Sequence, residues 1–417
     1  MPRLPNDCFA NSADMISVDQ AREQIAKVAK TCTDIEQVSI DKAGFRILGE
    51  DIIANMDVPP AGNSAVDGYA FSYTSYQDSR TLECVGRSAA GAPFSGSVQK
   101  GECIQIFTGA LLPAGCNTIA MVEDVTVRGK RVFFPEGLKD GANHRKAGED
   151  LKKGSLILKA GTRLRPQELG QLASIGICDI PVHTKLKVGL FSTGDELCNP
   201  GDAHKPGSIF DTNRFMIRTL LENYGCSIQD YGILEDKLAT VKDALAKAAD
   251  ECDLLLTSGG VSMGDEDHVK AAVEATGNLH FWRIAIKPGR PLAMGQVKST
   301  AFVGLPGNPV AALVCALQFV RPLITGLSGL NMMDAALPVF GKSSFLMDKK
   351  PGRTEWLRGR YRINEQNEPV IDKYSQDGSG IISSLTWANG LIELGEDVNR
   401  VEPGNMIRFY PFTELFK

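Results

Sequence analysis

The chain has 417 residues, 43% hydrophobic and 23% charged, with 42 Gly and 21 Pro. That composition excludes a mostly disordered or low-complexity protein, because enough apolar side chain is present to offset the entropy of ordering. With 45 Lys and Arg against 50 Asp and Glu, the net charge is −5; this argues against a general nucleic-acid binder and requires any anionic ligand to sit in a local pocket.

In chain order, residues 1–14 lack a basic region followed by an apolar core, so no secretory signal is expected. Residues 17–31 place Val18, Ala21, Ile25, Val28 and Ala29 at helical spacing and predict an amphipathic helix. Residues 44–54 read as a second helical or mixed segment ending before Pro59-Pro60. From 61 to about 140, short alternating runs (103–107, 118–122, 131–134) between Gly and Pro predict a small β-rich module. Residues 155–158 alternate again, and a helix is expected over 166–175. At Lys185 the pattern changes. Strand candidates at 188–191, 228–234, 254–257 and 301–305 alternate with helices at 213–224, 238–250, 267–275 and 309–323. That alternation predicts a doubly wound, mostly parallel α/β sheet with helices on both faces. After Gly329, strands at 338–340, 355–361, 369–371, 391–394 and 406–409 predict a C-terminal β barrel or sandwich. The expected division is a discontinuous helical linker subdomain (17–60 with 141–183), a β-rich module (61–140), an α/β domain (184–329) and a C-terminal β domain (330–417).

The most apolar run, 309–320, is too short to cross a membrane on its own. The ten cysteines are scattered without a C-x-x-C pair, so neither a disulfide framework nor a zinc site is indicated, and a reducing cytoplasm is the expected location.

Ligands of an open parallel sheet bind beyond the carboxyl ends of its strands. Three turns fall there: Ser192-Thr193-Gly194-Asp195-Glu196-Leu197, Ser258-Gly259-Gly260-Val261-Ser262, and Gly304-Leu305-Pro306-Gly307-Asn308-Pro309. The second resembles a phosphate cradle, with glycines admitting an anion to backbone N–H groups and a helix N-terminus behind them. The alternative is a tight turn, with Asp267 capping the helix. In the third, Pro309 suits a helix start and Gly307 frees the backbone ahead of it. Lys287, Pro288, Gly289 and Arg290 put two cations around a rigid turn, with Arg283 four residues earlier. These are either solvated surface charges or oxyanion ligands. Glu196, Asp236 and Asp267 would lie near strand ends, with Asp67 and Asp150 in the preceding β-rich and linker regions. As a set facing a phosphate cradle they favour metal-assisted chemistry at a phosphate bond; singly, each is better explained as a helix cap or an exposed charge. No G-x-S-x-G elbow, Walker A loop or G-x-G-x-x-G fingerprint is present.

Several segments carry a family resemblance in chain order. Asn63-Ser64-Ala65-Val66-Asp67-Gly68-Tyr69-Ala70 and Thr108-Gly109-Ala110 come first. Arg145-Lys146-Ala147-Gly148-Glu149-Asp150, Asp211-Thr212-Asn213 and the three sheet-edge turns follow. Together they make the chain resemble the molybdopterin molybdenumtransferases, the family that includes the E domain of gephyrin. The resemblance implies molybdate and adenylated molybdopterin as substrates, Mg²⁺ as cofactor, AMP release and molybdenum cofactor as product. It also implies a homodimer whose cleft lies between the α/β domain of one chain and the β module of its partner. Contacts with a molybdopterin adenylyltransferase and with acceptor molybdoenzymes follow from the same likeness, without nucleic acid or membrane. Carried over by motif, Asp67, Thr108, Asp150, Glu196, Asp236 and Asp267 would line the cleft, with Asp67, Glu196 and Asp267 as candidate metal ligands. Arg145, Ser192, Thr193, Gly194, Ser258, Gly259, Gly260, Val261, Ser262, Lys287, Arg290, Pro306, Gly307, Asn308 and Pro309 would bind or shape the substrate site. The chain departs from the family pattern at Leu111, Asn117, Arg283 and Arg290. Two other readings stand beside this one: a non-catalytic gephyrin-like scaffold, and a nucleotide amidohydrolase sharing only the α/β domain.

Overall fold

The computed structural model describes residues 15–260, 268–290, 292–331 and 336–416. The first helix, Val18–Val28, starts where Ser17 accepts the Gln20 N–H at 3.1 Å and the Gln20 side chain accepts the Ser17 N–H at 2.8 Å. This capping box satisfies two N–H groups that the helix itself leaves free. Its apolar stripe of Val18, Ala21 and Ile25 packs into the main core.

Segment 44–54 is not helical. A single 3-10 turn, Ile40–Lys42, precedes it, and the chain then forms isolated bridges and the two-residue strand Ile52–Ile53. Gly44 and Gly49 weaken helix propensity, and Phe45 adopts a left-handed φ of 61° that ends any helix there. Around this segment, Ile35–Ser39 pairs antiparallel with Asp179–His183. Leu48, Leu164, Leu172 and Ile180 form a small core beneath the helix Pro166–Ser174.

The 61–140 region is a six-stranded mixed sheet. Its order is Thr118–Met121, Gly68–Phe71, Glu102–Ile106, Thr81–Ser88, Arg131–Phe133, Thr126–Arg128. Its two buried clusters consist wholly of its own residues.

The central sheet runs Ser227–Leu234, Lys187–Thr193, Leu254–Ser258, Thr300–Leu305, Leu292–Val297, Gly277–Trp282. The first four strands are parallel and the last two antiparallel. The antiparallel pair is absent from the sequence reading, because Gly277, Asn278, His280, Gly295 and Gln296 leave little β-branched or alternating signal. Side chains alternate across the sheet as the pleat requires. Val188, Leu190, Leu254, Leu256, Val303 and Leu305 face the Asn213–Asn223 helix and the 309–327 helix. Phe191, Leu255 and Phe302 face Leu238–Glu251 and His268–Thr276.

The helix Pro309–Leu327 continues beyond the apolar run, through a wider-wound turn at Ala316–Val320. By length and composition it could span a membrane, but 78% of its most apolar window is buried inside the protein. It is apolar all round because the sheet covers one side and the Val18–Val28 helix another.

The C-terminal strands close into a barrel. Thr354–Ile363 pairs with Pro369–Lys373 on one side and Gly390–Leu394 on the other, and Met406–Pro411 joins Gly390–Leu394 to Val339–Ser343. Ile286–Lys287, from the α/β part of the chain, adds in parallel to Thr354–Glu355. That single pairing fixes the Lys287-Pro288-Gly289-Arg290 turn against the barrel. The nine described cysteines are all free thiols.

Candidate active site

Parallel pairing sets the strand ends level. Ser192 is in register with Ser258, Ser258 with Leu305, and Thr193 with Leu234. The three sequence-predicted turns and Asp236 therefore leave the sheet at one edge. At the second turn, Gly259 and Gly260 have φ of +87° and +62°. A Cβ on Gly260 would stand 2.1 Å from Thr193 Oγ1 and 2.7 Å from Val269 Cγ2, so only glycine lets this backbone lie so close to the first turn. Gly307 is different: a Cβ there meets nothing within 4 Å and its φ is not left-handed. Its role is not conformational freedom, contrary to the sequence expectation.

Asn213, at the start of its helix, joins the second and third turns. Its amide nitrogen donates to Ser258 Oγ at 2.8 Å and to the Gly307 carbonyl at 2.6 Å. Arg214 beside it is buried and bridges Asp211 (3.0 Å) and Asp230 (2.9 Å), which pins the helix start. Asp211-Thr212-Asn213 is recognisable in the sequence as a motif, but nothing in its residue types marks Asn213 as the tie between two turns. Among the described residues, three buried polar atoms at this edge lack a hydrogen-bond partner: Ser192 Oγ, Thr193 Oγ1 and Asn213 Oδ1. A buried, unpaired polar group costs about 1–3 kcal/mol, so three at one edge mark where a polar ligand would complete the structure.

Glu196 is exposed and Asp236 half-exposed at this edge. Asp267, Val261 and Ser262 lie outside the described residues. Among the described residues no group of three His, Cys, Asp or Glu side chains is arranged to hold a metal ion.

Next to the third turn, a groove of about 550 Å³ opens between the sheet edge and the barrel. Lys287, Arg290, Pro306 and Asn308 line it, and the barrel contributes Arg353 and Arg358. Pro309 occupies the first turn of the helix behind. Lys287 Nζ donates to Glu355 Oε2 at 3.1 Å. Arg358 is 4% exposed. Its guanidinium donates to Ser384 Oγ at 2.9 Å and to the carbonyls of Gln376 and Gly378 at 3.0 and 3.1 Å. Among the described residues no carboxylate lies within ion-pair distance of it, and burial pushes its pKa down. Asp377, which lines the same groove and pairs with Lys373 at 2.6 Å, acts on this guanidinium through space without bonding to it directly. Neither Arg353 nor Arg358 could be found from sequence, since only the barrel's closure brings them to the turns.

The remaining acids sit on the small lobe. Asp67 Oδ1 accepts both the Thr108 N–H and the Thr108 hydroxyl at 2.7 Å. Those two bonds, the backbone one foremost, hold the exposed Asp67 carboxyl below the usual carboxylate range. Arg145 pairs in register with Asn63, so its strand runs beside the Asp67 loop. Asp150 is exposed, its N–H donating to the Val58 carbonyl at 2.9 Å. Leu111 bridges Asn63. Asn117 accepts the Tyr73 N–H and donates to Asp140 Oδ1, both at 2.8 Å; an acid there would face Asp140 with like charge. Asp67 and Glu196 thus belong to separately packed parts of one chain.

A larger groove of about 1100 Å³, lined by Lys42, Phe45, Arg46 and Lys185 among others, opens where Lys185 enters the sheet, at the opposite edge. It contains none of the motif residues, and the sheet edge with its basic groove is the better candidate.

The chain matches three family descriptions in succession. These are the MoeA N-terminal region (domain I and II) over residues 16–176, a probable molybdopterin binding domain over 189–326, and the MoeA C-terminal region (domain IV) over 341–412. It is 39% identical over 402 residues to the molybdopterin molybdenumtransferase of Haemophilus influenzae, covering 96% of this chain and 100% of that one. It is 29% identical to gephyrin of Dictyostelium discoideum, over 95% of this chain and 62% of that protein. The crystal structure of a molybdopterin biosynthesis moeA protein from Pyrococcus horikoshii superposes with a TM-score of 0.83 at 29% identity, covering 95% of this chain and all of that one. The chain belongs to the molybdopterin molybdenumtransferase family, enzymes of molybdenum cofactor biosynthesis.

Proposed function

We propose that this protein inserts molybdenum from molybdate into adenylated molybdopterin, releasing AMP, at a cleft completed by two copies of the chain. The observation that carries this reading is the buried Arg358. Bonded directly only to neutral acceptors, with Asp377 nearby, it shares a groove with Lys287, Arg290 and Arg353, beside a sheet edge carrying three unpartnered buried polar atoms.

In this reading Arg358, Lys287 and Arg290 neutralise the molybdate dianion, Arg358 by its planar fork and Lys287 as a point charge. The backbone at Ser258–Gly260 receives a phosphate, and Ser192, Thr193 and Asn213 hydrogen-bond polar groups of the pterin or its phosphate. Asp67 stays ionised because Thr108 donates to it twice. Mg²⁺, which needs only one or two carboxylates besides phosphate oxygens and water, would be held by Asp67 and Glu196 and would polarise the phosphoanhydride. The exposed, singly placed acids fit that undemanding donor set, and Asp267 remains a third candidate. Because Asp67 and Glu196 lie in separately packed parts, the cleft is assigned to the small lobe of one protomer and the sheet edge of its partner.

The test is complementation. Asp67→Asn and Glu196→Gln each lose molybdate-dependent AMP release as homodimers. After the two are unfolded and refolded together, half the dimers are mixed and each holds one intact site, so about a quarter of wild-type activity returns. No recovery on mixing would place both acids in a single chain's site. Full activity of either variant alone would remove that acid from the reaction.

A further inference from the structure

Beyond the candidate active site, the small lobe carries a paired thiol. Cys84 on Thr81–Ser88 and Cys103 on Glu102–Ile106 are register partners on adjacent parallel strands. Both side chains contribute to the same cluster, with Phe71, Tyr76 and Leu82. Neighbouring strands stand about 4.8 Å apart, inside the span of roughly 4.4–6.8 Å between Cα atoms that a disulfide bridges. We propose that Cys84 and Cys103 form a peroxide-reactive dithiol, a modification site in which Cys84 is attacked first and Cys103 resolves it to a disulfide.

Three features fit those two roles. Cys84 is half-buried, whereas Cys103 is fully buried. A small hydroperoxide therefore reaches Cys84 while bulkier thiols are kept from Cys103. The neighbouring Cys103 thiol brings Cys84 down to about 6 and is itself driven well above the ordinary thiol range by Cys84 and by burial; while protonated, the Cys84 S–H donates to the Gly86 carbonyl at 3.5 Å. Cys84 is then the thiolate, and the proton stays on the resolving thiol. The register also shifts between Cys84 and Arg87. The backbone just past Cys84 is therefore freed from regular pairing, which lets the two Cβ atoms close without breaking the ladder.

The chemistry balances with one hydroperoxide. The Cys84 thiolate attacks a peroxide oxygen, the O–O bond breaks, and Cys84 becomes a sulfenic acid while hydroxide leaves. The Cys103 sulfur then attacks the Cys84 sulfur; the S–OH bond breaks, and the Cys103 proton departs with the hydroxyl as water. The dithiol has lost two electrons and the peroxide has gained them. The strand involved leads, two residues past Ile106, into Thr108, which holds Asp67.

The full-length protein is exposed to hydrogen peroxide, quenched by alkylation and digested without reductant. The expected product is a disulfide-linked peptide pair containing Cys84 and Cys103, returned to two alkylated peptides by dithiothreitol. In Cys103→Ser the oxidation stops at Cys84 as a sulfenic acid that dimedone traps. In Cys84→Ser, Cys103 stays reduced. The wild-type peptide map alone decides the matter if either variant folds poorly. A Cys84–Cys103 pair that stays fully reduced while the exposed Cys178 is oxidised would overturn the proposal.

Discussion

Replacing Asn213 by alanine tests whether one side chain holds the second and third turns together. The amide nitrogen makes two hydrogen bonds, to Ser258 Oγ at 2.8 Å and to the Gly307 carbonyl at 2.6 Å. Each contributes about 1 kcal/mol net, and the deletion also leaves the Gly307 carbonyl without that donor in a partly buried place, adding about 1–2 kcal/mol. The truncation relieves the unpartnered Asn213 Oδ1, which offsets part of the loss. The balance is about 2–3 kcal/mol of local stability. Global unfolding of a chain with several cores is not a single transition, so the assay is native-state hydrogen exchange. Amides at the ends of Leu254–Ser258 and Thr300–Leu305, and in the first turn of the 309–327 helix, should exchange about 30- to 150-fold faster. Those of the small lobe and barrel should not change. Exchange at the two strand ends within about twofold of wild type would refute the idea that Asn213 ties the turns.

Thr108→Val removes the hydroxyl from Asp67 but keeps the backbone N–H. Asp67 is depressed in the folded protein, so its favourable ionised interaction is present above the ordinary carboxylate value of about 3.9 and is lost as pH falls through the lower folded value. The variant's Asp67 midpoint, followed by carboxyl-carbon NMR, should move up but stop short of that ordinary value; an unmoved midpoint would mean the hydroxyl contributes nothing. Arg358→Met should weaken molybdate binding by about 10- to 150-fold in calorimetry, the worth of a charge-assisted hydrogen bond, and should also lower thermal stability, because Ser384 Oγ and the Gln376 and Gly378 carbonyls lose their buried donor. Equal affinity would remove Arg358 from the anion site. Gly260→Ala should abolish turnover, from about 1–2 kcal/mol of left-handed strain plus the clash with Thr193, while Gly307→Ala should retain it. Equal activity of the two would contradict the assigned geometry of the second turn.

Much of the fold was legible in the sequence because hydrophobic periodicity is local. The parallel strands and helices between 187 and 327 follow from apolar runs separated by 3.6-residue stripes, and their parallel pairing brings three glycine-bearing turns to one edge. Segment 44–54 was not legible, since its apolar residues permit a helix that Gly44 and the left-handed Phe45 forbid. The antiparallel pair Gly277–Trp282 and Leu292–Val297 was missed because its burial comes from neighbours rather than from its own pattern. At the candidate site, the turns, Lys287 and Arg290 were found from residue type and spacing alone. Arg358, 68 residues after Arg290 in sequence, reaches the same groove because Ile286–Lys287 pairs with Thr354–Glu355. Asn213 becomes a clamp only once the Ser258 and Gly307 turns stand side by side. Most strands and helices of residues 187–327 could be read one segment at a time, because burying an apolar stripe is a property of a segment. Which charges share a groove, and which polar atoms are left unpaired, emerges on folding, because those depend on contacts between segments that carry no trace of one another in their own residues.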